Sequence, residues 1–275
     1  MKHPFTVVHW YLIPLVALVV WWGMLIALLL AWSLQGKPMY KFMDEYQNPV
    51  YISDIGATNL QPLFISCVGF QAIFFVGTPL IELFLRKTHR IQPYVGRWQP
   101  YFAVGTIVCA IIGQLGILFV SIFNTNLFHE VHLLMVGVFI AFIFLACVCN
   151  FWLLFVFGWH PQKLSPEHHH VVFGPRKWQN LYMVSFVCKL FWMVAAVVFA
   201  ICFGAYMRDD SNSTSAIFEW TISFWYGVLL ILWSLDLFPA ASRHYNRKHQ
   251  GRFGDNEMKL LEGLDLELRS ASSGI

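Results

Sequence analysis

The residues that could do chemistry inside the apolar stretches of this chain are few: Glu82, Asn150, Lys189 and Asp236. Ionisable side chains at membrane depth are costly and are frequently functional. Lys189 lies roughly eight residues, or ~12 Å at 1.5 Å per residue, inside the fifth apolar run. Its ammonium could meet Glu82 or Asp236, which lie near the corresponding ends of the second and sixth runs. An ion pair that fixes helix register is one interpretation, and a lipid phosphate bound by Lys189 is the other.

A second group of polar residues, His129, Glu130 and His132, begins the fourth apolar run, and Asp54 and Glu219 lie on the same predicted side. Histidine and carboxylate together can bind zinc or act as acid and base. No third histidine joins them in these segments, and the sequence has no nucleophile-elbow serine. We therefore expect structural hydrogen bonds here, with a lipid-headgroup site and catalysis as the alternatives. We assign no catalytic residue and no metal ligand.

The elements that must position these residues are membrane-spanning helices. Of the 275 residues, 58% are hydrophobic and 12% are charged. This charged fraction is about half of that in soluble domains, which is ~25%. Six apolar runs are long enough to cross a ~30 Å hydrocarbon core. The sequence predicts an all-α polytopic membrane protein, with a six-helix bundle over residues 1–239 and a tail over 240–275. The predicted spans are roughly 10–32, 62–85, 101–123, 131–157, 181–206 and 217–238.

Lysine and arginine residues predict that both termini are cytoplasmic. Most of the 18 basic residues fall in the terminal segments and in the loops after the second and fourth runs, as the positive-inside rule expects of cytoplasmic segments. The sequon at Asn212 lies between the fifth and sixth runs, on the opposite, outer side, where glycosylation is expected. The net charge of +3 is small and no dense basic block is present, which excludes a nucleic-acid partner.

The predicted tail divides by charge. Its first part carries basic residues directly after the sixth span, which could hold the tail against anionic lipid or could serve only as a topology signal. Its second part, residues 253–275, places leucines among acidic residues and could dock on a protein partner as a short amphipathic element. The basic residues of the first part are Arg243, Arg247, Lys248 and Arg252.

The segment from Ser33 to Asn59 is rich in aromatic residues, which usually pack onto something. It could form an interfacial belt or a cap over the outer mouth of the bundle. We expect the Asp54 carboxylate to accept backbone N–H bonds at the entry to the second span, and Gly56 to allow a tight turn there. The sequence has no P-loop, no dinucleotide fingerprint and no H-E-x-x-H motif, so we expect no cofactor.

One stretch carries a family resemblance: Tyr51-Ile52-Ser53-Asp54-Ile55-Gly56-Ala57, followed by Pro62-Leu63-Phe64-Ile65. It resembles the signature of the family that joins the FRAG proteins, the damage-regulated autophagy modulators (DRAM) and the suppressor-of-four-kinase (SFK) proteins. The resemblance covers essentially all six spans and is strongest to the fungal SFK-like branch. Further stretches that carry it are Gly23-Met24-Leu25 with Trp32 and Gly36, Ser121-Ile122-Phe123-Asn124-Thr125 with His132, Lys189-Leu190, Glu219-Trp220 and Asp236-Leu237.

The resemblance implies a six-span plasma-membrane protein that is not known as an enzyme. SFK-like members support recruitment of phosphatidylinositol 4-kinase to the plasma membrane and help to retain phospholipid asymmetry and sterol there. The partners that it implies are anionic phospholipid, sterol and a subunit of the kinase complex. Related branches imply the alternatives: a protein of the ER or Golgi that remodels GPI lipid anchors, or an autophagy modulator of the vacuolar or lysosomal membrane.

Overall fold

The computed structural model describes residues 9–165, 171–172 and 174–240, and these residues form seven α-helices and no β-strand. Six of the helices are long and apolar enough to cross a membrane, which confirms the predicted all-α, six-span architecture. The basic residues Arg243, Arg247, Lys248 and Arg252 lie outside the described residues. The helices are α1 (Leu12–Leu34), α2 (Ile52–Gly56), α3 (Gln61–Lys87), α4 (Gln99–Ile122), α5 (His129–Trp159), α6 (Leu181–Arg208) and α7 (Asn212–Ala240).

The first and last of these helices meet at one end of the bundle. Ser234 Oγ donates to the carbonyl oxygen of Tyr11 at 2.7 Å, and the rings of Tyr11 and Phe238 lie 5.4 Å apart. We call this end the terminal end. The opposite end holds residues 35–60, between α1 and α3, and we call it the cap end. An even number of spans requires residues 9 and 240 to share one end.

Close packing between α4 and α5 depends on glycine. A Cβ at Gly116 would lie 2.9 Å from the backbone nitrogen of Phe139, and a Cβ at Gly113 would lie 2.9 Å from Ile143 Cδ1. Small residues serve this purpose in membranes because lipid gives two helices no hydrophobic reason to associate, so close contact must supply the attraction. The two helices therefore form one tightly packed wall of the bundle.

Tryptophan indoles tie α1 and α6 to α7. Trp21 Nε1 on α1 donates to the carbonyl oxygen of Ser223 at 2.7 Å. Trp192 on α6 and Trp225 on α7 each donate an indole N–H to the other's carbonyl oxygen, at 2.8 and 3.0 Å. Hydrocarbon offers no water to these donors, so they need acceptors within the protein. The bonds hold α1 and α6 against α7.

The segment between α1 and α3 folds over the cap end and is anchored on α7. Trp220 Nε1 donates to the carbonyl oxygen of Val50 at 2.8 Å, and the Tyr51 hydroxyl donates to Asn212 Oδ1 at 3.0 Å. The aromatic segment therefore forms a cap over this end of the bundle and not an interfacial belt.

Asn212 Nδ2, the atom to which a glycan would be attached, donates to Glu45 at 2.8 Å. Glycosylation at Asn212 stays a prediction.

The local prediction for Asp54 and Gly56 is wrong. Asp54 is the third residue of α2, and neither α2 nor α3 has a side-chain cap at its N-terminus. The backbone N–H of Ile52 instead donates to Glu219 Oε2 at 2.6 Å, an acceptor on α7 that local sequence cannot indicate. Gly56 is helical, and a Cβ there would lie 2.5 Å from the Phe64 ring. Glycine is required by packing and not by a turn.

Candidate functional site

A buried polar network joins α3, α5, α6 and α7 near the terminal end. Lys189 is fully buried; its ammonium forms an ion pair with Asp236 and donates to Asn150 Oδ1 at 2.9 Å. Asn150 Nδ2 in turn donates to Glu82 Oε2 at 3.1 Å. Of the two carboxylates that we considered as partners of Lys189, Asp236 is the direct one and Glu82 is reached through Asn150.

Sequence reasoning missed a second charged pair in this network. Arg86 is buried in the last turn of α3 and donates to Glu82 Oε1 from Nη2 at 2.6 Å and from Nε at 3.0 Å. The spacing of four residues on one helix was the signal for this pair. Two cations and two anions balance within the network. Because Lys189 is fully buried and already has two partners, the geometry favours a structural ion pair over a bound lipid phosphate.

Toward the cap end, the helices enclose a cavity of ≈ 1060 Å³. Phe144 and Leu145 on α5 and Val197 and Ile201 on α6 line this cavity and are also exposed, so the cavity opens sideways between the two helices. Only 11% of the most apolar stretch of α6 is buried within the protein, whereas the corresponding share for α4 is 50%. In a bilayer the opening therefore faces hydrocarbon.

The family signature forms the polar mouth of this cavity. Tyr51, Ile52, Ser53 and Asp54 all line it. Pro62 lies in the first turn of α3, where its missing N–H costs no hydrogen bond. The family signature in the sequence thus identifies residues at the mouth, but nothing in the sequence predicts the cavity itself.

Two buried residues at the mouth, Asp54 and Gln47, have side-chain oxygens that accept no hydrogen bond from the described residues. Asp54 is 9% exposed, its carboxylate has no hydrogen bond within the part of the chain that the structure describes, and burial raises its pKa to about 6. Gln47 is 8% exposed and its Oε1 has no partner among the described residues. Both side chains line the cavity. Glu219 also lines it, and its carboxylate already accepts the N–H of Ile52.

The histidines near the mouth make structural hydrogen bonds. His132 is buried, and its Nδ1 lies 3.1 Å from the carbonyl oxygen of Val120 and 2.9 Å from that of Phe123. Two acceptors at Nδ1 assign the proton to that nitrogen. His129 Nδ1 lies 3.2 Å from Thr125 Oγ1. Glu130 is exposed and stands apart from the cavity lining. Within the described residues, no three His, Cys, Asp or Glu side chains could hold a metal ion.

A second polar feature that sequence reasoning missed lies deeper in the cavity. Tyr226 lines it, and its hydroxyl accepts from Gln71 Nε2 and Gln114 Nε2, both at 2.8 Å. Both glutamines are buried. The signal in the sequence was the presence of polar residues in the middle of apolar runs. Hydrocarbon cannot form hydrogen bonds with an amide, so such residues need partners within the protein.

Fold and site together define a six-span integral membrane protein with a cavity that is apolar along its walls and polar at its mouth. The sequence model of the family described as "Frag1/DRAM/Sfk1/Cwh43P N-terminal domain" matches residues 9–240. The chain belongs to this family, as the signature at the mouth indicated.

Two fungal relatives are similar over most of the chain. "Protein SFK1" of Saccharomyces cerevisiae is 36% identical over 291 aligned positions, which cover 86% of this chain and 81% of that protein. "Protein sfk1" of Schizosaccharomyces pombe is 27% identical over 229 positions, which cover 83% of this chain and 64% of that protein. No solved structure matches the chain.

Proposed function

We propose that this chain is a non-catalytic regulator of lipid organisation in the plasma membrane, which holds a membrane lipid in its cavity and supports recruitment of phosphatidylinositol 4-kinase. The observation that carries the proposal is the cavity of ≈ 1060 Å³, with apolar walls, a sideways opening to hydrocarbon and a polar mouth. Ligand sites typically combine apolar walls with a few placed polar groups, and a lipid has the matching polarity. Family membership and the likeness to proteins named SFK1 support a membrane regulator of that type.

The distribution of basic residues supports an outer position for the cap end. Arg86, Lys87, Arg90 and Arg97 follow α3 or close it at the terminal end, and positive charge favours the cytoplasmic side. The cavity then opens into the outer leaflet. A lipid could enter it from the bilayer, between α5 and α6, without leaving the membrane.

The kinase contact lies on the opposite side of the membrane in this proposal. Residues 241–252 are basic and would lie against anionic lipid of the inner leaflet, while residues 253–275 would dock on a subunit of the kinase complex. This part rests on the charge pattern of the sequence and on the family resemblance. Deleting residues 253–275 should leave surface location unchanged and reduce kinase recruitment.

The experiment is to fill the cavity and to follow the lipids. Ala200 lines the cavity, whereas Val198, two residues away on α6, faces outward and is 50% exposed. Cells without the endogenous gene receive wild type, Ala200→Trp or Val198→Trp at matched surface abundance. A phosphatidylinositol 4-phosphate reporter and outward exposure of phospholipid are then measured.

We expect Ala200→Trp to fail in both measurements and Val198→Trp to match wild type. Full activity of Ala200→Trp at normal abundance would contradict the proposal, because its cavity would then be dispensable. Imaging of the same cells tests the location. Retention in the ER or Golgi would favour the GPI-remodelling branch, and a vacuolar or lysosomal location would favour the autophagy branch.

A further inference from the structure

We infer that the cavity selects a phospholipid whose headgroup carries a primary ammonium and no net negative charge, an ethanolamine phospholipid. The inference deepens the proposed function and rests on its lipid-holding cavity. It is carried by the charge of the mouth and by the buried acceptors that lack a donor there.

The charge at the mouth is negative. Asp44, Glu45 and Asp54 line the cavity at its mouth, and no Lys or Arg is among the described residues that line it. Complementary charge favours the right partner, and juxtaposed like charges reject the wrong one. A headgroup with net negative charge, such as serine or a phosphorylated inositol, is therefore disfavoured at this mouth.

The acidic side chains at the mouth differ in whether they already accept a hydrogen bond from the protein. Glu45 accepts from Asn212 Nδ2 at 2.8 Å, and Glu219 accepts from the backbone N–H of Ile52 at 2.6 Å. Asp54, which is nine-tenths buried, has no hydrogen bond of this kind among the described residues. Asp44 is exposed to water, so Asp54 is the buried acidic residue at the mouth whose charge an incoming cation can neutralise.

Gln47 supplies a second, independent indication. Gln47 lines the cavity, and its Oε1 is shielded from solvent and has no partner in the described part of the chain. A buried acceptor without a donor costs free energy, and such groups are rare in folded proteins. An ammonium with three N–H donors could bond to both Gln47 and Asp54.

The need to bond to Gln47 and to neutralise Asp54 distinguishes ethanolamine from the other candidate headgroups. Choline could contact the aromatic rings of Phe42 and Tyr51, which also line the cavity, by cation–π attraction. It has no N–H and would leave the Gln47 acceptor unsatisfied. A sterol has one hydroxyl donor and no charge, so it would leave the Asp54 carboxylate unneutralised. A primary ammonium meets both requirements.

The test uses the full chain, purified in detergent and stripped of lipid. Native mass spectrometry measures binding of dioleoyl phospholipids with ethanolamine, choline or serine headgroups, and of ergosterol. We expect one tightly held ethanolamine lipid, with an affinity at least about tenfold above the other three. Gln47→Met combined with Asp54→Asn should remove this preference, while Glu130→Gln, which alters an exposed carboxylate away from the cavity, should keep it.

The Ala200→Trp variant distinguishes failure of the lipid cavity from failure of the headgroup preference. If Ala200→Trp abolishes binding of every lipid but wild type shows no ethanolamine preference, the lipid cavity stands and the headgroup inference is overturned. If Ala200→Trp binds lipid as wild type does, the proposed function itself fails. A preference for choline, serine or ergosterol overturns the headgroup inference as well. Unfolding temperatures of each variant confirm that the variants are folded.

Discussion

Replacing Asp54 by Asn should stabilise the lipid-free protein at neutral pH. Burial raises the pKa of Asp54 from 3.8 to about 6, because an ionised carboxylate at this position has lost water and gained no hydrogen bond. Each pKa unit corresponds to about 1.4 kcal/mol. Ionised Asp54 therefore costs the folded protein on the order of 3 kcal/mol at pH 7.5. Asn keeps the shape and removes this cost.

The direction of the pH dependence follows from the raised pKa. Between about pH 4 and pH 6 the unfolded chain has lost the Asp54 proton while the folded chain still holds it. The contribution of this proton to stability is therefore complete below about pH 4, falls as the pH rises through about 6, and is absent above that. The free energy of unfolding of Asp54→Asn minus that of wild type should thus be positive at pH 7.5 and should shrink toward pH 5.

The assay is denaturant unfolding of the detergent-solubilised chain between pH 5 and pH 8, with Glu130→Gln as the control for an exposed carboxylate. Adding an ethanolamine phospholipid should stabilise wild type more than Asp54→Asn, because the ammonium compensates the buried charge only in wild type. If Asp54→Asn is no more stable than wild type at pH 7.5, or if the difference does not change with pH, the reasoning on Asp54 is refuted.

Two further predictions concern the packing of the bundle. Lys189→Met should lower folded yield and unfolding temperature, because Asp236 is left buried without its partner at a cost of about 3–5 kcal/mol, and adding Asp236→Leu should recover most of the loss; normal stability of the single variant would argue against an ion pair. Gly56→Ala should lower the unfolding temperature by bringing a Cβ within 2.5 Å of the Phe64 ring, a strain of about 1–3 kcal/mol. Gly137→Ala, where no atom lies within 4 Å, should be neutral or slightly stabilising, and equal effects at both glycines would contradict the packing argument.

The sequence could predict those features of the fold that the thickness and the low polarity of the bilayer determine. A span needs about 20 apolar residues whatever its neighbours are, so run length alone identified six helices. The partner of Lys189 could be narrowed to Glu82 or Asp236 for a similar reason, since a charge at membrane depth needs an opposite charge within reach. Choosing between the two required the rotation of α6 against α7, which the sequence does not specify.

The site depended on contacts that no local pattern encodes. Glu219 satisfies the N–H of Ile52 across 167 residues, so the local capping rule assigned that role to Asp54 instead. Gln47 resembles any loop glutamine in the sequence, and only the fold shows that it is buried at the mouth of the cavity. The cavity is lined by residues from several helices and from the segment between α1 and α3, and no local sequence pattern encodes a space between helices.

The most direct test of the account is to locate a lipid on the protein. A phosphatidylethanolamine with a diazirine in its acyl chain is mixed into nanodiscs that contain the full chain, activated by light, and mapped by peptide mass spectrometry. We expect labels on the cavity-lining faces of α5 and α6, and we expect them to be lost in Ala200→Trp but not in Val198→Trp. Labels spread over the outward faces of all helices, and unchanged in Ala200→Trp, would contradict it.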